Sequence, residues 1–304
     1  MNRLTRRAFL GAAALVPLAG CTGGDTPVPS PSSAPPQGAT PRPPIERHDR
    51  LAELEQRFGA RVGVFAVATG TGNTVAHRAD ERFAFCSTFK ALATAAVLHR
   101  DPMSHLETVV RYTPADLMKS SQITRQHVST GMTIRQVCDA AVRYSDGTAG
   151  NLLFRELGGP ARLTEFLRSI GDTVTRMDRI EPALTEATPG DPRDTSTPRA
   201  LGTSYQRLVL GDTLPPDKRA FLRDLMERNT TGAQRIRAGV PQGWVVADKT
   251  GTGDYGTVND IALVWPPNTP PLLIAIMSSK PARDATYDQA LIAEAARYAV
   301  ASLT

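Results

Sequence analysis

At 304 residues, with 41% hydrophobic and 21% charged side chains, the chain has the ordinary balance of a soluble globular protein, enough for one large domain or two closely joined ones. The net charge of +5 gives no support to nucleic-acid binding. Arg3, Arg6 and Arg7 supply three of those charges within the first twenty residues, which hold no acid.

The N-terminus reads as a leader. Arg6-Arg7 precede an apolar run that ends at Leu18-Ala19-Gly20-Cys21. A basic stretch, a short apolar core and small residues before a cut describe an export signal over residues 1–21. The run is too short for the ~20 apolar residues of a membrane span. The paired arginines resemble a twin-arginine signal, and the four residues ending at Cys21 resemble a bacterial lipobox, making Cys21 the candidate for lipidation. Residues 22–44 are rich in Pro, Ser, Thr and Gly and have too little apolar bulk to offset their ordering entropy, so a disordered tether is expected there.

Leu51, Leu54 and Phe58 then follow helical spacing. Arg61–Thr69 reads as a strand, and the turn Gly70-Thr71-Gly72-Asn73 leads into a second, Thr74–Arg78, forming a hairpin. From Ser87 to Leu210 helical segments alternate with Gly- and Pro-containing loops. Phe89–His99 is apolar nearly all round, as a helix buried within a domain is. Strand character returns at Trp244–Asp248, Asp260–Trp265 and Leu272–Met277, an antiparallel meander, and Tyr287–Leu303 closes the chain as an amphipathic helix. The expected class is α/β of the α+β type. One antiparallel sheet with flanking helices is built from both chain ends (45–80 and 229–304), and a helical domain is inserted between them (81–228).

Four short patterns carry chemistry. Ser87-Thr88-Phe89-Lys90 puts a hydroxyl and an amine on one helical face at i and i+3, and a serine becomes nucleophilic when a neighbouring base takes its proton. A helix N-terminus also offers free backbone N–H groups near Ser87. Lys90 interrupts an apolar helix, where an unpaired amine is costly to bury. Ser145-Asp146-Gly147 follows the helical stretch Ile134–Tyr144 and taken alone is an ordinary turn. Arg179-Ile180-Glu181-Pro182 opens a long loop closing near Asp194; a carboxylate held there suits a general base. Lys249-Thr250-Gly251 is expected at the end of the Trp244–Asp248 strand, where a cation and a hydroxyl beside a glycine suit a carboxylate ligand.

In this order, and with the longer stretches EPALTEATPGDPRDTSTP (181–198), NTTGAQRIRAGVP (229–241) and ADKTGTGDYG (247–256), the sequence from about 46 to 304 resembles the class A β-lactamases. The resemblance implies a serine hydrolase that opens β-lactams without a cofactor or metal. Ser87 would be the nucleophile, Lys90 and Glu181 would share its activation, and Ser145 would relay a proton. The N–H groups of Ser87 and Thr252 would form an oxyanion hole. Lys249, Thr250, Gly251, Thr252 and Arg235 would line the substrate-carboxylate site, and an Arg179–Asp194 ion pair would close the loop. It also implies an exported, monomeric enzyme whose partners are β-lactam small molecules, with the membrane reached only through Cys21. Gly147 stands where the family places an asparagine, Thr185 where an asparagine helps hold the hydrolytic water, and Ser120 where many members have an aromatic. Cys138 matches half of a disulfide found in some members, but Thr94 holds the partner position, so Cys86 and Cys138 are expected as free, buried thiols. A penicillin-binding D,D-peptidase would share Ser-x-x-Lys and Lys-Thr-Gly but lack the loop glutamate. A non-catalytic wall-binding lipoprotein would need none of Ser87, Lys90, Ser145 and Glu181 together. The five histidines show no metal-ligand spacing.

Overall fold

Branched and apolar residues at every second position make Arg61–Ala68 a strand (β1), because alternate side chains leave a strand on opposite faces. The preceding helix α1 spans Asp49–Phe58, and the turn after β1 leads into β2, Thr74–His77. The computed structural model describes residues 48–304. Residues 1–47, with the predicted export signal, Cys21 and the tether, lie outside the described residues.

The middle of the chain is helical, with two minimal ladders. A two-residue strand Phe83–Ala84 (β3) precedes helix α2, Phe89–Arg100. Strands Val109–Val110 (β4) and Met132–Thr133 (β5) pair before α3, Ile134–Arg143. Helices α4 (Gly147–Leu157) and α5 (Pro160–Ser169) follow, then β6 (Thr195–Ser196), which pairs with β3, and helices α6 (Pro198–Val209) and α7 (Pro216–Glu227). A short helix α8 (Ile236–Gly239) leads to strands β7 (Val245–Thr252), β8 (Val258–Trp265) and β9 (Leu272–Ser279), and α9 (Gln289–Leu303) ends the chain.

The five long strands form one antiparallel sheet in the order β2-β1-β9-β8-β7. The expected union of the two chain ends is its central seam: β1 pairs with β9 from Arg61↔Ser279 to Ala68↔Leu272. Both faces are covered. Val62, Val64, Ala66, Ile274 and Ile276 face one core with Leu51 and Leu54 of α1 and Leu291 and Ile292 of α9. The alternating set Phe65, Leu273, Ala275 and Met277 joins the larger core of the helices. Each such Val, Leu, Ile or Phe withdrawn from water contributes about 1.5–3 kcal/mol.

Helix α2 lies within that larger core, its residues from Phe89 to Leu98 buried and its neighbours being α3, α4, α5 and α7. Phe89 stacks on Phe154 of α4 with ring centroids 4.6 Å apart. Helix starts carry local signals: Thr133 and Gln136 form a capping box on α3, and the Asp146 side chain caps α4 by accepting from the Ala149 N–H.

Candidate active site

Ser87 sits in a 3-10 turn, Cys86–Thr88, that runs into α2. The turn is tied on several sides. The Thr88 hydroxyl donates to the Phe85 carbonyl (2.9 Å), Tyr205 Oη donates to the Thr88 carbonyl (2.6 Å), and Asn259 Nδ2 donates to the Ala84 carbonyl (2.8 Å). The i, i+3 spacing places Lys90 Nζ 2.9 Å from Ser87 Oγ. The same amine donates to the Ser145 carbonyl at 2.9 Å and lies 2.6 Å from Glu181 Oε1. An ammonium has three protons, and here three oxygens receive them, which answers how an amine with no solvent exposure is accommodated on an apolar helix.

Glu181 reaches this point because its loop is clamped at two places. Asn151 of α4 binds both sides of the Glu181 peptide, accepting from its N–H (3.0 Å) and donating to its carbonyl (2.9 Å). At the base of the loop Arg179 Nε lies 2.6 Å from Asp194 Oδ2, and Asp194 Oδ1 accepts from the N–H groups of Asp178 (2.8 Å) and Arg179 (2.9 Å). Ser87 Oγ is 3.4 Å from Glu181 Oε1.

Ser145 joins the two lysines. Its backbone is left-handed (φ 56°), and its hydroxyl accepts from Lys249 Nζ at 3.0 Å while its carbonyl holds Lys90. Asp146 is buried and accepts from the N–H groups of Ile123 and Thr124 (both 2.9 Å), so it holds the 123–124 loop segment against the start of α4.

The Lys-Thr-Gly element departs from its expected place. It lies inside β7, not after it: the ladder to β8 continues through Thr250↔Asp260, Gly251↔Asn259 and Thr252↔Val258 with no bulge. Gly251 is required there, since a Cβ would stand 2.5 Å from the Phe85 carbonyl oxygen and push β7 off the nucleophile turn. Lys249 is fully buried, and burial together with the nearby Lys90 charge holds its amine well below the ordinary lysine range. Thr250 Oγ1 lies 2.5 Å from Thr231 Oγ1. Arg235, read as a fork for a substrate carboxylate, spends its donors on the protein. Nη1 donates to the carbonyls of Gly251 (3.0 Å) and Asn259 (2.8 Å), Nη2 to Thr252 Oγ1 (2.8 Å) and Nε to Gln289 Oε1 (3.1 Å). It therefore fixes the edge of β7 from behind.

Asn151, Asn259 and Thr231 were not singled out from the sequence, and Ser120 was noted only as a departure from the family at the site entrance. Asn151 had a signal, a polar side chain one turn after Gly147 on a helix otherwise rich in buried apolar residues. Ser120 Oγ is 3.5 Å from Glu181 Oε2, whereas the Thr185 hydroxyl turns back to the Pro182 carbonyl at 2.7 Å. Cys86 and Cys138 are free and buried; burial raises both thiols, Cys138 to about 12, which keeps them unreactive. The fold does assemble one histidine cluster that spacing did not suggest: His105 lies with Glu156 (3.0 Å) and Asp101 (3.8 Å) around the far end of α2. Arg100 bridges both carboxylates (2.6 and 2.7 Å), so a guanidinium already occupies the cation's position.

A serine hydroxyl in contact with a buried amine, a carboxylate held beside both, and a second serine on a second lysine form an acyl-transfer site. Lys90, Lys249 and Arg235 lie buried around it, Lys249 and Arg235 in the field of the buried Asp248 and Asp260 behind them. Comparison with known proteins agrees. Residues 46–303 match the profile of the β-lactamase enzyme family. A β-lactamase of Mycobacterium tuberculosis is 58% identical over 254 residues, covering 82% of this chain and 83% of its own. One from Amycolatopsis lactamdurans is 54% identical, with 89% of each chain covered. Among solved structures, a class A β-lactamase from Clostridium kluyveri superposes with a TM-score of 0.82 at 48% identity, covering 84% of this chain and 97% of its own. A halotolerant bacterial β-lactamase gives 0.82 at 49% identity, covering 83% and 98%. The chain belongs to the β-lactamase enzyme family. Within that family it is a serine β-lactamase of the class A kind, a β-lactam hydrolase.

Proposed function

We propose that this enzyme hydrolyses β-lactams through an acyl-enzyme on Ser87 that is cleared by water activated at Glu181. The observation that carries the assignment is the placement of one buried amine, Lys90 Nζ, 2.9 Å from Ser87 Oγ and 2.6 Å from Glu181 Oε1. In acylation Ser87 Oγ attacks the lactam carbonyl carbon, and its proton passes to the Lys90–Glu181 pair. The oxyanion forms against the N–H groups of Ser87 and Thr252, each such donor being worth about 2.7–4 kcal/mol in comparable acyl-transfer sites. The ring C–N bond breaks as Ser145, backed by Lys249, gives its proton to the departing nitrogen and takes one in turn from the Lys90–Glu181 pair, which leaves Glu181 a carboxylate again. In deacylation a water gives its proton to Glu181 and attacks the ester carbonyl, and Ser87 Oγ leaves with a proton. The substrate carboxylate lies against Thr250 and Thr252 in the field of Lys249, with Gly251 giving clearance and Arg235 holding Thr252 from behind.

Glu181→Ala tests this reading. The variant still opens benzylpenicillin once and then stalls, leaving on Ser87 an adduct of one penicillin mass, because loss of a general base costs about 10²–10⁴-fold. Ser87→Ala forms no adduct. A wild type that holds its adduct for hours identifies a D,D-peptidase chemistry, and a Glu181→Ala variant that turns over at the wild-type rate removes the base assignment.

We also assign residues 1–21 to export, through a twin-arginine type of signal with Cys21 as the lipidated residue, and 22–44 to a tether carrying a monomeric enzyme on the outer face of the cytoplasmic membrane. The supporting observation is Arg6-Arg7 ahead of an apolar run that ends in Leu-Ala-Gly-Cys. Residues 45–80 with 229–304 act as the sheet-bearing lobe, and 81–228 as the helical lobe. Arg6→Lys with Arg7→Lys leaves precursor in the cytoplasm, and Cys21→Ser releases mature enzyme from membranes; normal fractionation of both variants refutes the assignment.

A further inference from the structure

The carboxylate of Glu181 has two oxygens in different surroundings. Oε1 is held by Lys90 at 2.6 Å and faces Ser87 Oγ at 3.4 Å. A carboxylate held at one oxygen keeps freedom to rotate about its last bond, and a base must present a defined lone pair to the water it deprotonates. The second oxygen therefore needs a partner of its own. Three positions at which the chain departs from the family pattern are the candidates. Thr185 has its hydroxyl committed to the Pro182 carbonyl at 2.7 Å. Gly147 has no side chain. Ser120 Oγ stands 3.5 Å from Glu181 Oε2.

The glycine and the serine fit each other. A Cβ at position 147 would lie 2.4 Å from Glu181 Oε2 and 2.4 Å from Ser120 Oγ, which puts it in the gap between them. Any side chain there would separate the hydroxyl from the carboxylate. The Gly147 N–H also donates to the Ser120 carbonyl at 3.2 Å, fixing the serine backbone beside that gap. A distance of 3.5 Å is the long limit of a hydrogen bond, and such contacts in ligand-free sites commonly tighten when the reacting complex forms.

We infer that Ser120 is a positioning residue for Glu181: its hydroxyl donates to Oε2 across the space left by Gly147 and fixes the plane in which the base meets the hydrolytic water. The role rests on Glu181 being the deacylation base. It concerns only the second half of the reaction, in which water loses a proton to Glu181, the new C–O bond forms at the ester carbonyl, and Ser87 Oγ is expelled. Acylation, in which Lys90 shares the proton of Ser87, does not depend on Oε2.

The test separates the two half-reactions, with benzylpenicillin as the probe, by following formation and decay of the acyl-enzyme in Ser120→Ala, Ser120→Thr, Gly147→Ala and the Ser120→Ala/Gly147→Ala pair. Ser120 is solvent-exposed, so folding tolerates the change, and thermal melting checks this. Ser120→Ala slows deacylation about three- to tenfold, roughly the effect of one lost ordinary hydrogen bond, with acylation and its kcat/KM unchanged. Ser120→Thr, which keeps the hydroxyl, recovers most of the rate. Gly147→Ala slows deacylation at least as much, and the double variant is no slower than the worse single one, because both act on the same contact. Unchanged deacylation in Ser120→Ala overturns the proposal, as does a change confined to KM and acylation, which would make Ser120 a substrate contact at the mouth of the site. Glu181→Ala run alongside tells this failure from that of the base itself: stalled deacylation there keeps the base and isolates the fault to Ser120, whereas wild-type turnover removes both roles.

Discussion

Arg179→Ala removes the side chain that is ion-paired with Asp194 across the base of the Glu181 loop. Asp194 is fully buried, and Arg179 is 15% exposed at its side chain, so the pair is shielded from water on the carboxylate's side. Breaking a buried pair by deleting one partner costs about 3–5 kcal/mol. The upper figure does not apply, because Asp194 keeps two backbone N–H donors at 2.8 and 2.9 Å, and the second Arg179 contact, to the exposed Glu186, adds little. A loss of about 3 kcal/mol follows, a change of roughly a hundredfold in the ratio of closed to open loop. If the loop opens without the rest, acylation stays within about threefold and deacylation falls at least about tenfold, since Asn151 alone then positions the Glu181 peptide. If the penalty is global, the melting temperature falls by about 6–12 °C, at about 2–4 °C per kcal/mol for a domain of this size. Acyl-enzyme decay and a thermal melt on one preparation read both. Unchanged deacylation together with an unchanged melting temperature would refute the view that this ion pair holds the base in place.

Two further expectations concern the cationic wall. Burial lowers the Lys249 amine, so the folded protein releases its proton at a pH below that of the unfolded chain; an anionic carboxylate beside it favours the charged form, binding takes up a proton, and KM for penicillins rises as pH climbs through that lowered titration, below the ordinary lysine range. Lys249→Arg keeps its charge and flattens that rise; a wild-type KM independent of pH would show that Lys249 does not sense the substrate. Arg235→Ala leaves the Gly251 and Asn259 carbonyls without their guanidinium donor, at about 1–3 kcal/mol each, so the variant both loses stability and raises KM about tenfold or more; a raised KM with an unchanged melting temperature would return Arg235 to direct substrate contact.

Much of the architecture was legible in the chain. The β1–β2 hairpin, the all-round apolar α2 and the final meander follow from periodicity, since these elements pack on apolar faces and their patterns say so. The end of β7 was missed for the converse reason. Beyond Asp248 the strand consists of Lys249, Thr250, Gly251 and Thr252, opposite Asn259 and Asp260, and its polar residues serve the site and its supports. Hydrophobic alternation stops there while hydrogen bonding continues. Ser87, Lys90, Ser145 and Glu181 were found as candidates through the order of their motifs, and the structure places them within one hydrogen-bonded cluster. The donors of Arg235 could not be assigned beforehand, because a guanidinium suits a ligand carboxylate and a backbone carbonyl equally well. The Ser120–Gly147 relation was equally hidden: it depends on the distance between a loop and a helix start, which neither the Ser145-Asp146-Gly147 pattern nor Ser120 encodes.

The seam between β1 and β9 sets the order in which activity is acquired. β1 is followed in the chain by β2 and by the whole helical stretch, yet one of its edges stays open until β9 has been made. Pairings this remote in sequence are slow to form and expose unpaired strand edges while they wait. The Ser87 turn depends on the same late event, because Asn259 of β8 grips Ala84 and Gly251 of β7 abuts Phe85. A nascent chain that has completed α2, with Ser87 and Lys90 already neighbours on one helix, thus has a nucleophile and its amine but no wall for an oxyanion or a substrate carboxylate, and it stays chemically silent until its ends have met.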